Sequence, residues 1–337
     1  MIRVALDAMG GDGAPVAEVD GAAMALREFA DDVQVTLVGR EQDLRAHLAR
    51  HPDLDASRLR VVHAPDAIGM DEKPLAAVRK KPNSSLVVGL NLHKAGEVDA
   101  FISAGNTGAT LAASTIILGL HDGVPRATVA SPFPIPDGSV LVVDAGANVD
   151  CTARELVNFA RLGTIYMRDV MGIPEPKVGL LNIGEEDDKG GAVVRETHGL
   201  LKQQARITYV GNIEGRDIVV PHPRFGQVDV VVCDGFVGNA VLKFYESVGA
   251  LVTTLVTRDS PSLLGSTELK PLMQFLDYAQ YGGAPLLGVR GVSIIAHGAS
   301  TPSAIKNAIK RAVHSVRGEL GAHIAAEMAV FEAAVAP

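Results

Sequence analysis

The most suggestive chemistry in the sequence lies in a short polar turn, residues 103–109 (SAGNTGA), between an apolar strand and an apolar helix. Unpaired backbone N–H groups at the start of a helix attract anions, glycines allow an anion to approach the main chain, and hydroxyl groups add donors. The pattern favours phosphate, although a plain strand-to-helix turn with an N-cap would look the same. The candidate phosphate-binding residues are Ser103, Gly105, Asn106, Thr107 and Gly108.

A second polar turn, residues 7–12 (DAMGGD), places two carboxylates five residues apart around paired glycines. Asp7 ends a predicted strand and is a candidate catalytic residue, whereas Asp12 is expected to cap the next helix. Metal binding by this pair is the minor alternative, because no histidine lies nearby in the sequence to complete a ligand set. We therefore expect neither a metal ion nor a cofactor.

Three further strand ends supply candidate catalytic side chains. In residues 185–190 (EEDDKG), Lys189 is the candidate phosphate contact, while Glu186 and Asp187 are expected in a solvated loop or helix start. Asp234 and Asn239 flank the turn in residues 234–239, which leads into a helix. His297 follows the last apolar strand and is either a titrating residue or a hydrogen-bonded structural histidine.

A fold must bring these turns together. Short β-branched runs alternate with amphipathic segments along the chain, and this alternation predicts such a fold. The pattern indicates a Rossmann-like, three-layer αβα fold, with a parallel or mixed sheet covered by helices on both faces. Ligands in such sheets bind beyond the carboxyl ends of the strands, so the turns are expected to converge on one cleft. Predicted strands span 2–6, 33–38, 59–63, 98–103, 140–143, 178–182, 206–210, 228–233 and 292–296, and predicted helices span 17–29, 84–94, 152–170 and 302–313.

Length and composition limit the classes of function. The 337 residues, 47% of them hydrophobic, predict one α/β enzyme domain over residues 1–337 with two intimately joined lobes around a central cleft. The net charge of −8 argues against a nucleic-acid partner. The two cysteines, Cys151 and Cys233, are too far apart in sequence for a zinc motif and are expected to be buried thiols. Neither a P-loop nor a G-x-G-x-x-G motif is present, which weakens kinase and classical dehydrogenase interpretations.

Several segments bear on location and assembly. Residues 2–6 read as a strand rather than a signal peptide, and residues 100–120, although uncharged, read as strand, turn and helix rather than a membrane span. We expect a cytoplasmic protein. Residues 131–136 (SPFPIP) are expected to cross between lobes. Residues 239–280 form a predicted helical subregion, in which residues 239–257 favour dimer packing and residues 263–276 favour a membrane-surface contact.

Read together, nine blocks of the sequence resemble, in the same order, the phosphate:acyl-ACP acyltransferase (PlsX) family. Coverage extends from residue 1 to about residue 315. The blocks are residues 7–12 with Ala14 and Pro15, 79–85 (RKKPNSS), 103–109, 144–148 with Asp150 and Cys151, 180–186 (LLNIGEE), 211–215 (GNIEG), 233–239 (CDGFVGN), 281–288 (YGGAPLLG) and 295–298 (IAHG). Gly13 and Ala299 depart from the family pattern, which commonly has His and a larger residue at these positions.

The resemblance implies transfer of a fatty acyl group from acyl carrier protein to inorganic phosphate. The acyl phosphate would supply a glycerol-3-phosphate acyltransferase in phospholipid synthesis. It also implies a homodimer, peripheral membrane association, and a fold like phosphotransacetylase and the isocitrate/isopropylmalate dehydrogenases. Phosphate is itself a nucleophile and a thiol is a good leaving group, so no covalent enzyme intermediate is required. Acyl carrier proteins are acidic, and the candidate docking stripe is Arg154, Arg161 and Arg168, with residues 79–81 as a second candidate.

Three alternatives remain open from the sequence. A phosphotransacetylase or phosphotransbutyrylase would use the same phosphate site with coenzyme A thioesters. A metal-dependent decarboxylating dehydrogenase could use the same fold. A non-catalytic membrane scaffold would leave the many polar strand-end turns without a purpose.

Overall fold

The computed structural model describes residues 1–29, 32–260, 266–267, 269–276 and 282–333. The chain divides into two compact units. Unit 1 comprises Met1–Ala127 and Gly282–Pro337, and unit 2 comprises Thr128–Tyr281. The observed elements confirm the predicted α/β class.

The sheet of unit 1 has the strand order β3-β2-β1-β4-β11-β10. Its neighbouring strands are parallel except β10 and β11, which are antiparallel. The strands are β1 (Ile2–Asp7), β2 (Val33–Gly39), β3 (Leu59–His63), β4 (Ala100–Ser103), β10 (Ala284–Leu287) and β11 (Val292–Ile295). The helices are α1 (Val16–Glu28), α2 (Glu41–Leu48), α3 (Pro74–Lys80), α4 (Ser85–Lys94), α5 (Thr107–Ile117), α10 (Pro302–Arg317) and α11 (Leu320–Ala333).

Side-chain alternation along β1 builds two hydrophobic layers in unit 1. Val4 and Leu6 pack with α1 and α10, whereas Ala5 packs with α4 and α5 on the opposite face. The helices α1 and α10 approach so closely that a Cβ on Gly21 would lie 2.6 Å from Ile305 Cβ. This three-layer arrangement presents the ends of β1, β4 and β11 at one edge of the sheet.

The strands of unit 2 follow one another in the order β5-β6-β9-β7-β8. β5 is antiparallel to β6, and the remaining neighbours are parallel. The strands are β5 (Thr128–Ile135), β6 (Gly138–Val143), β7 (Lys177–Leu181), β8 (Thr208–Ile213) and β9 (Val230–Val232). The helices are α6 (Ala153–Asp169), α7 (Ala192–Leu201), α8 (Gly235–Asp259) and α9 (Leu269–Leu276).

The proline-rich segment is the clearest difference from the sequence prediction. Residues 131–136 do not form a crossing, because residues 131–135 belong to β5 and the boundary between units lies at Ala127 and Thr128. Pro132 and Pro134 are two residues apart and therefore occupy equivalent ladder positions. The alternate residues can supply N–H groups to β6, so both prolines are compatible with the strand.

The uncharged stretch of residues 100–120 forms β4, a turn and α5, as predicted. Among the described residues, one helix, α8, has the length and apolar composition to cross a membrane. Within the predicted membrane-facing segment, residues 263–265 and 268 lie outside the described residues, as do residues 277–280 of the predicted helical subregion. Leu269–Leu276 forms α9.

Candidate active site

Asp7 is the buried centre of the candidate site in unit 1. β1 and β4 are parallel neighbours, and their register places Asp7 opposite Ser103. The Ser103 hydroxyl donates a 2.8 Å hydrogen bond to Asp7 Oδ2, and the Gly105 N–H donates to Ser103 Oγ at 3.0 Å. Burial raises the pKa of Asp7, and hydrogen bonds from Ser85, Ser103 and Met9 oppose the shift. Asp7 thus fixes the turn after β4 through the hydrogen bond from Ser103, which in turn accepts the Gly105 N–H.

The turns that follow β1 and β4 touch through glycine. A Cβ on Gly10 would lie 2.7 Å from Asp7 Oδ2 and 2.8 Å from the Gly105 nitrogen. Only a residue without a side chain allows this main-chain contact. The sequence singled out both turns, but not the contact between them.

Asn106 is the N-cap of α5, and its side chain is fully used by the protein. Its Oδ1 accepts the Ala109 N–H at 3.0 Å. Its Nδ2 donates to the carbonyls of Gly69, Met70 and Glu72 at 3.3, 3.1 and 3.1 Å. The N-cap alternative is therefore confirmed for this residue, and its amide also fixes the loop of residues 69–72.

The head of α5 still offers main-chain donors. No described residue accepts a hydrogen bond from the N–H of Thr107 or Gly108. The Thr107 side chain is exposed. A Cβ on Gly108 would lie 2.6 Å from Pro74 Cγ, so α3 packs directly against this turn. The donors left without an acceptor are thus backbone groups rather than the Asn106 amide.

A third turn joins the same edge of unit 1. β11 is the other parallel neighbour of β4, and Ile295 lies opposite Ser103. The exposed His297 follows it, and its Nδ1 accepts the Ala299 N–H at 3.1 Å. The Asp12 N–H donates to the Gly298 carbonyl at 2.8 Å. Asp7, Ser103 and His297 therefore lie at the ends of three adjacent strands.

In unit 2, Asp144 holds the turn after β6, as Asp7 holds the turn after β4 in unit 1. This fully buried carboxyl at the end of β6 accepts hydrogen bonds of 2.7–3.3 Å from five donors. The donors are the N–H groups of Val129, Gly146, Ala147 and Asn148 and the Asn148 side-chain amide. Burial raises the pKa of Asp144, and these hydrogen bonds oppose the shift. We did not single out Asp144 as a site residue from the sequence.

Asp234 and Asn239 lie at the start of α8, close to that turn. Asp234 is the N-cap and accepts the Val237 N–H at 2.9 Å. The Gly235 N–H donates to the Asn148 carbonyl at 2.7 Å. Asn239 packs beside Gly146, with its Cβ 3.4 Å from where a Gly146 Cβ would be. The structure thus assigns helix capping to Asp234, while Asn239 borders the Asp144 turn.

A cavity of about 430 Å³ opens beside these residues within unit 2. Its polar lining includes Cys151, Asn182 and Asp234. The Cys151 thiol donates to the Asn148 carbonyl at 3.3 Å. Burial, with the nearby charges of Asp144, Glu155 and Asp234, raises the pKa of Cys151 to about 12. Cys151 therefore remains a thiol at neutral pH and is poorly suited to act as a nucleophile.

Lys189 belongs to a loop that is anchored rather than merely solvated. Asp187 accepts a 2.9 Å hydrogen bond from His198 and pairs with Lys202. Glu185 contacts His222 at 3.1 Å. The Lys189 ammonium, by contrast, is exposed and forms no hydrogen bond or ion pair with a described residue. The Asp187 side chain is 73% exposed, as expected for a solvated acidic loop, and the buried His198 also holds it.

The candidate docking stripe is largely engaged within unit 2. Arg161 is half-buried and donates to Asn158 and Gln204, and burial lowers its pKa. Arg168 pairs with Asp169 at 2.7 Å. Arg154 alone of the three is exposed with no ion pair to a described residue. Only Arg154 of the stripe has no partner among the described residues, and docking of acyl carrier protein through the stripe stays a prediction.

The predicted residues are therefore divided between the two units. Unit 1 holds Asp7, His297 and the turn of residues 103–108, and unit 2 holds Lys189, Asp234 and Asn239. Within the described part of the chain, no group of three His, Cys, Asp or Glu side chains could hold a metal ion.

Solved structures with similar folds include a phosphotransacetylase and a branched-chain phosphotransacylase. The EutD phosphotransacetylase from Staphylococcus aureus aligns with a TM-score of 0.63 and 17% identity, over 94% of each chain. A branched-chain phosphotransacylase from Enterococcus faecalis aligns with a TM-score of 0.61 and 16% identity, over 94% of this chain and 99% of the other. At these identities the likeness confirms the predicted phosphotransacetylase-like fold.

Sequence relatives are much closer. Phosphate acyltransferase from Geobacter sp. strain M21 is 48% identical over 92% of this chain and 88% of its own. The phosphate acyltransferase of Salinibacter ruber is 45% identical over 94% of this chain and 93% of its own. The sequence also matches the family described as "Fatty acid synthesis protein" over residues 2–322. The chain therefore belongs to this fatty acid synthesis family, as the nine sequence blocks predict, and it is an acyltransferase enzyme.

Proposed function

We propose that the protein transfers a long-chain fatty acyl group from acyl carrier protein to inorganic phosphate, yielding acyl phosphate for phospholipid synthesis. The observation that carries this proposal is the head of α5, where the Thr107 and Gly108 N–H groups have no acceptor among the described residues. These donors lie at the positive end of a helix, beside glycine turns that allow close approach. A small oxyanion fits such a place, and the phosphate acyltransferase relatives are named for one.

The reaction needs positioning more than activation. A phosphate oxygen attacks the thioester carbonyl carbon, a C–O bond forms, the C–S bond breaks, and the thiol departs with the proton of hydrogen phosphate. Holding the two reactants in contact can lower the barrier by about 7 to 11 kcal/mol. Direct attack also agrees with the Cys151 pKa of about 12 and with the complete burial of Cys233.

The charged residues receive supporting roles in this proposal. Lys189 would neutralise phosphate with its exposed ammonium, and His297 would pass the proton of the attacking hydrogen phosphate to the leaving sulfur. Asp7 and the α8 head, with Asp234 and Asn239, would orient the turns. Replacing Lys189 by Ala should raise the Michaelis constant for phosphate about fivefold, whereas Lys189→Arg should restore it, since a screened charge contributes about 1 kcal/mol. An unchanged constant in Lys189→Ala would remove Lys189 from the site.

Two cavities in unit 2 support a long-chain thioester donor. The 430 Å³ cavity beside Asp234 combines polar and apolar lining, which suits the arm that carries the thioester. A second cavity of about 440 Å³ is lined almost wholly by apolar residues of β5 and α8, with some from residues 215–219 and α9. Its lining includes Val241, two residues beyond Asn239 on the same helix. We propose that the fatty chain enters this apolar cavity.

The acyl donor separates the main proposal from its rival, a phosphotransacetylase that uses coenzyme A. The test mixes purified protein and phosphate with palmitoyl-acyl carrier protein or with palmitoyl-coenzyme A, and traps acyl phosphate with hydroxylamine. Phosphate-dependent hydroxamate from the carrier-protein donor at a much higher rate is the expected result. A clear preference for the coenzyme A donor would replace the proposal by its rival.

Assembly and location also belong to the proposal. α8 exposes Phe244 (73%) and Leu251 (57%), and homodimer packing would cover them. Sedimentation of Phe244→Glu as a monomer, beside a dimeric wild type, would support this packing. We further propose a cytoplasmic protein whose α9 segment contacts the membrane surface. If the protein does not float with anionic liposomes, α9 does not contact the membrane and packs within the protein.

A further inference from the structure

Glu18 is a buried carboxyl behind the candidate phosphate site of unit 1. It lies in the first turn of α1, and its residue surface is 1% exposed. A Cβ on Gly11 would overlap Glu18 Oε1, and it would also lie 3.3 Å from the Gly298 oxygen and 3.5 Å from Ala104 Cβ. Glu18 therefore occupies the space at the junction of the turns that follow β1, β4 and β11.

The hydrogen bonding of Glu18 is incomplete. The N–H groups of Gly11 and of Glu18 itself stabilise the carboxylate. Oε2 is buried and has no hydrogen-bond partner among the described residues. A buried, ionised carboxylate with an unpaired oxygen is costly, whereas a neutral carboxylic acid at the same place is much less so.

The charges around Glu18 favour the same neutral form. The ionisable side chains that act on it most are Asp7 and Asp12, both acidic. The titratable residue in the turn after β11 is His297, and its Nδ1 accepts a hydrogen bond from the Ala299 N–H. On α10, Lys306 pairs with Glu28, ten residues further along α1. Burial, followed by the charges of Asp7 and Asp12, raises the pKa of Glu18 to about 7.

We infer that Glu18 is a positioning residue whose neutral form permits anion binding at the head of α5, and whose ionisation weakens that binding. The coupling runs through main-chain contacts, since Glu18 abuts Gly11 and the adjoining Gly10 touches Gly105. An ionised Glu18 would place a third negative charge beside Asp7 and Asp12. Because the coupling is reciprocal, an anion that raises the pKa of Glu18 by one unit binds the neutral form about tenfold more tightly.

This inference rests on the proposed phosphate site, and its test separates the two. Sulfate is the probe, because it remains a dianion across the neutral range whereas phosphate changes its own charge. Sulfate binding, without acyl donor, is measured by calorimetry between about pH 6 and about pH 8.5 for wild type, Glu18→Gln and Glu28→Gln. Glu28→Gln is the matched control, because this partly exposed acid lies on the same helix.

The expected result is a rise of about tenfold in the wild-type dissociation constant across this pH range. Glu18→Gln should keep the low-pH value throughout, and Glu28→Gln should follow wild type. Equal pH profiles for wild type and a folded Glu18→Gln would overturn the inference, as would a lack of sulfate binding. If sulfate binding behaves as expected while no acyl phosphate forms, the inference stands and the proposed function fails. If Glu18→Gln does not fold, Glu18→Ala takes its place in the sulfate titration. The sulfate affinity of Glu18→Ala should then be independent of pH. The same pH dependence as in wild type would contradict the inference.

Discussion

At the residue scale, two buried aspartates have the same structural task in different units. Asp7 holds the turn after β4 through Ser103, and Asp144 gathers five donors from the turn after β6 and from β5. Both are acceptors for groups that must not move if main-chain donors are to stay aimed at a substrate. In the proposed mechanism their contribution is therefore orientation, which follows from burial and hydrogen bonding rather than from exposure to substrate.

Replacement of Cys151 tests whether phosphate attacks the thioester directly, without an acyl-enzyme intermediate. Cys151→Ser should retain activity within about threefold, because a thiol with a pKa of about 12 supplies almost no thiolate at neutral pH. The measurement is the rate of phosphate-dependent acyl transfer, with alkylation by iodoacetamide as a second readout. A loss of more than about a hundredfold in a folded variant would instead indicate an acyl-enzyme intermediate.

Glu18 should also make stability depend on pH. Its pKa is about 7 in the folded protein and about 4.3 when unfolded, so its stabilising contribution is complete below about pH 4.3. That contribution is lost as the pH rises to about 7. Relative to Glu18→Gln, wild type should therefore lose about 3 kcal/mol of unfolding free energy between about pH 4.5 and pH 7.5. Parallel stability curves from urea denaturation would contradict this prediction.

At the element scale, the head of α5 depends on a cap that also clamps a distant loop. Asn106→Asp keeps an acceptor for the Ala109 N–H but turns a carboxylate toward three carbonyl oxygens. We expect the unfolding free energy to fall by about 2 kcal/mol and the Michaelis constant for phosphate to rise about tenfold.

The control for Asn106 is Ser84→Ala, which removes the N-cap of α4. Loss of this cap should lower the unfolding free energy by about 1 kcal/mol and leave the phosphate constant unchanged. Phosphate kinetics are measured at saturating acyl donor for both variants. Equal phosphate constants in the two variants would mean that the α5 head does not bind phosphate.

The apolar cavity of β5 and α8 predicts a dependence on chain length. Val241→Trp should fill the cavity and reduce transfer of long chains while sparing short ones. Each methylene that no longer fits should cost about 0.8 kcal/mol, or about fourfold in kcat/KM. Val330→Trp, at an exposed position of α11, is the control. Equal losses for short and long chains in Val241→Trp would show that the fatty chain lies elsewhere.

Local pattern was sufficient to predict most elements but not the contacts that join them. Period-two runs gave the strands of residues 2–6 and 33–38 within a residue or two, because both are buried and rich in β-branched side chains. β5 was missed because two prolines mask a strand. The contact of Gly10 with Gly105 and the bond between Asp187 and His198 depend on tertiary register, which a single sequence does not encode locally.

At the scale of the whole molecule, an acyltransferase of this family carries two compact units, each with polar turns at strand ends. The family could be identified from nine short blocks because their glycines and polar residues are the ones that tertiary contacts require, as at Gly10, Gly105 and Gly238. Glu18 could not be identified in this way, because an acid in the first turn of a helix is common. Only its burial beneath three turns distinguishes it.

The central claim is that phosphate binds at the head of α5 before it takes the acyl group. The most direct measurement is a crystal structure of the protein soaked in orthophosphate without acyl donor. The account predicts a phosphate within hydrogen-bonding distance of the Thr107 and Gly108 N–H groups. A phosphate held elsewhere, with this helix end left empty, would contradict the account.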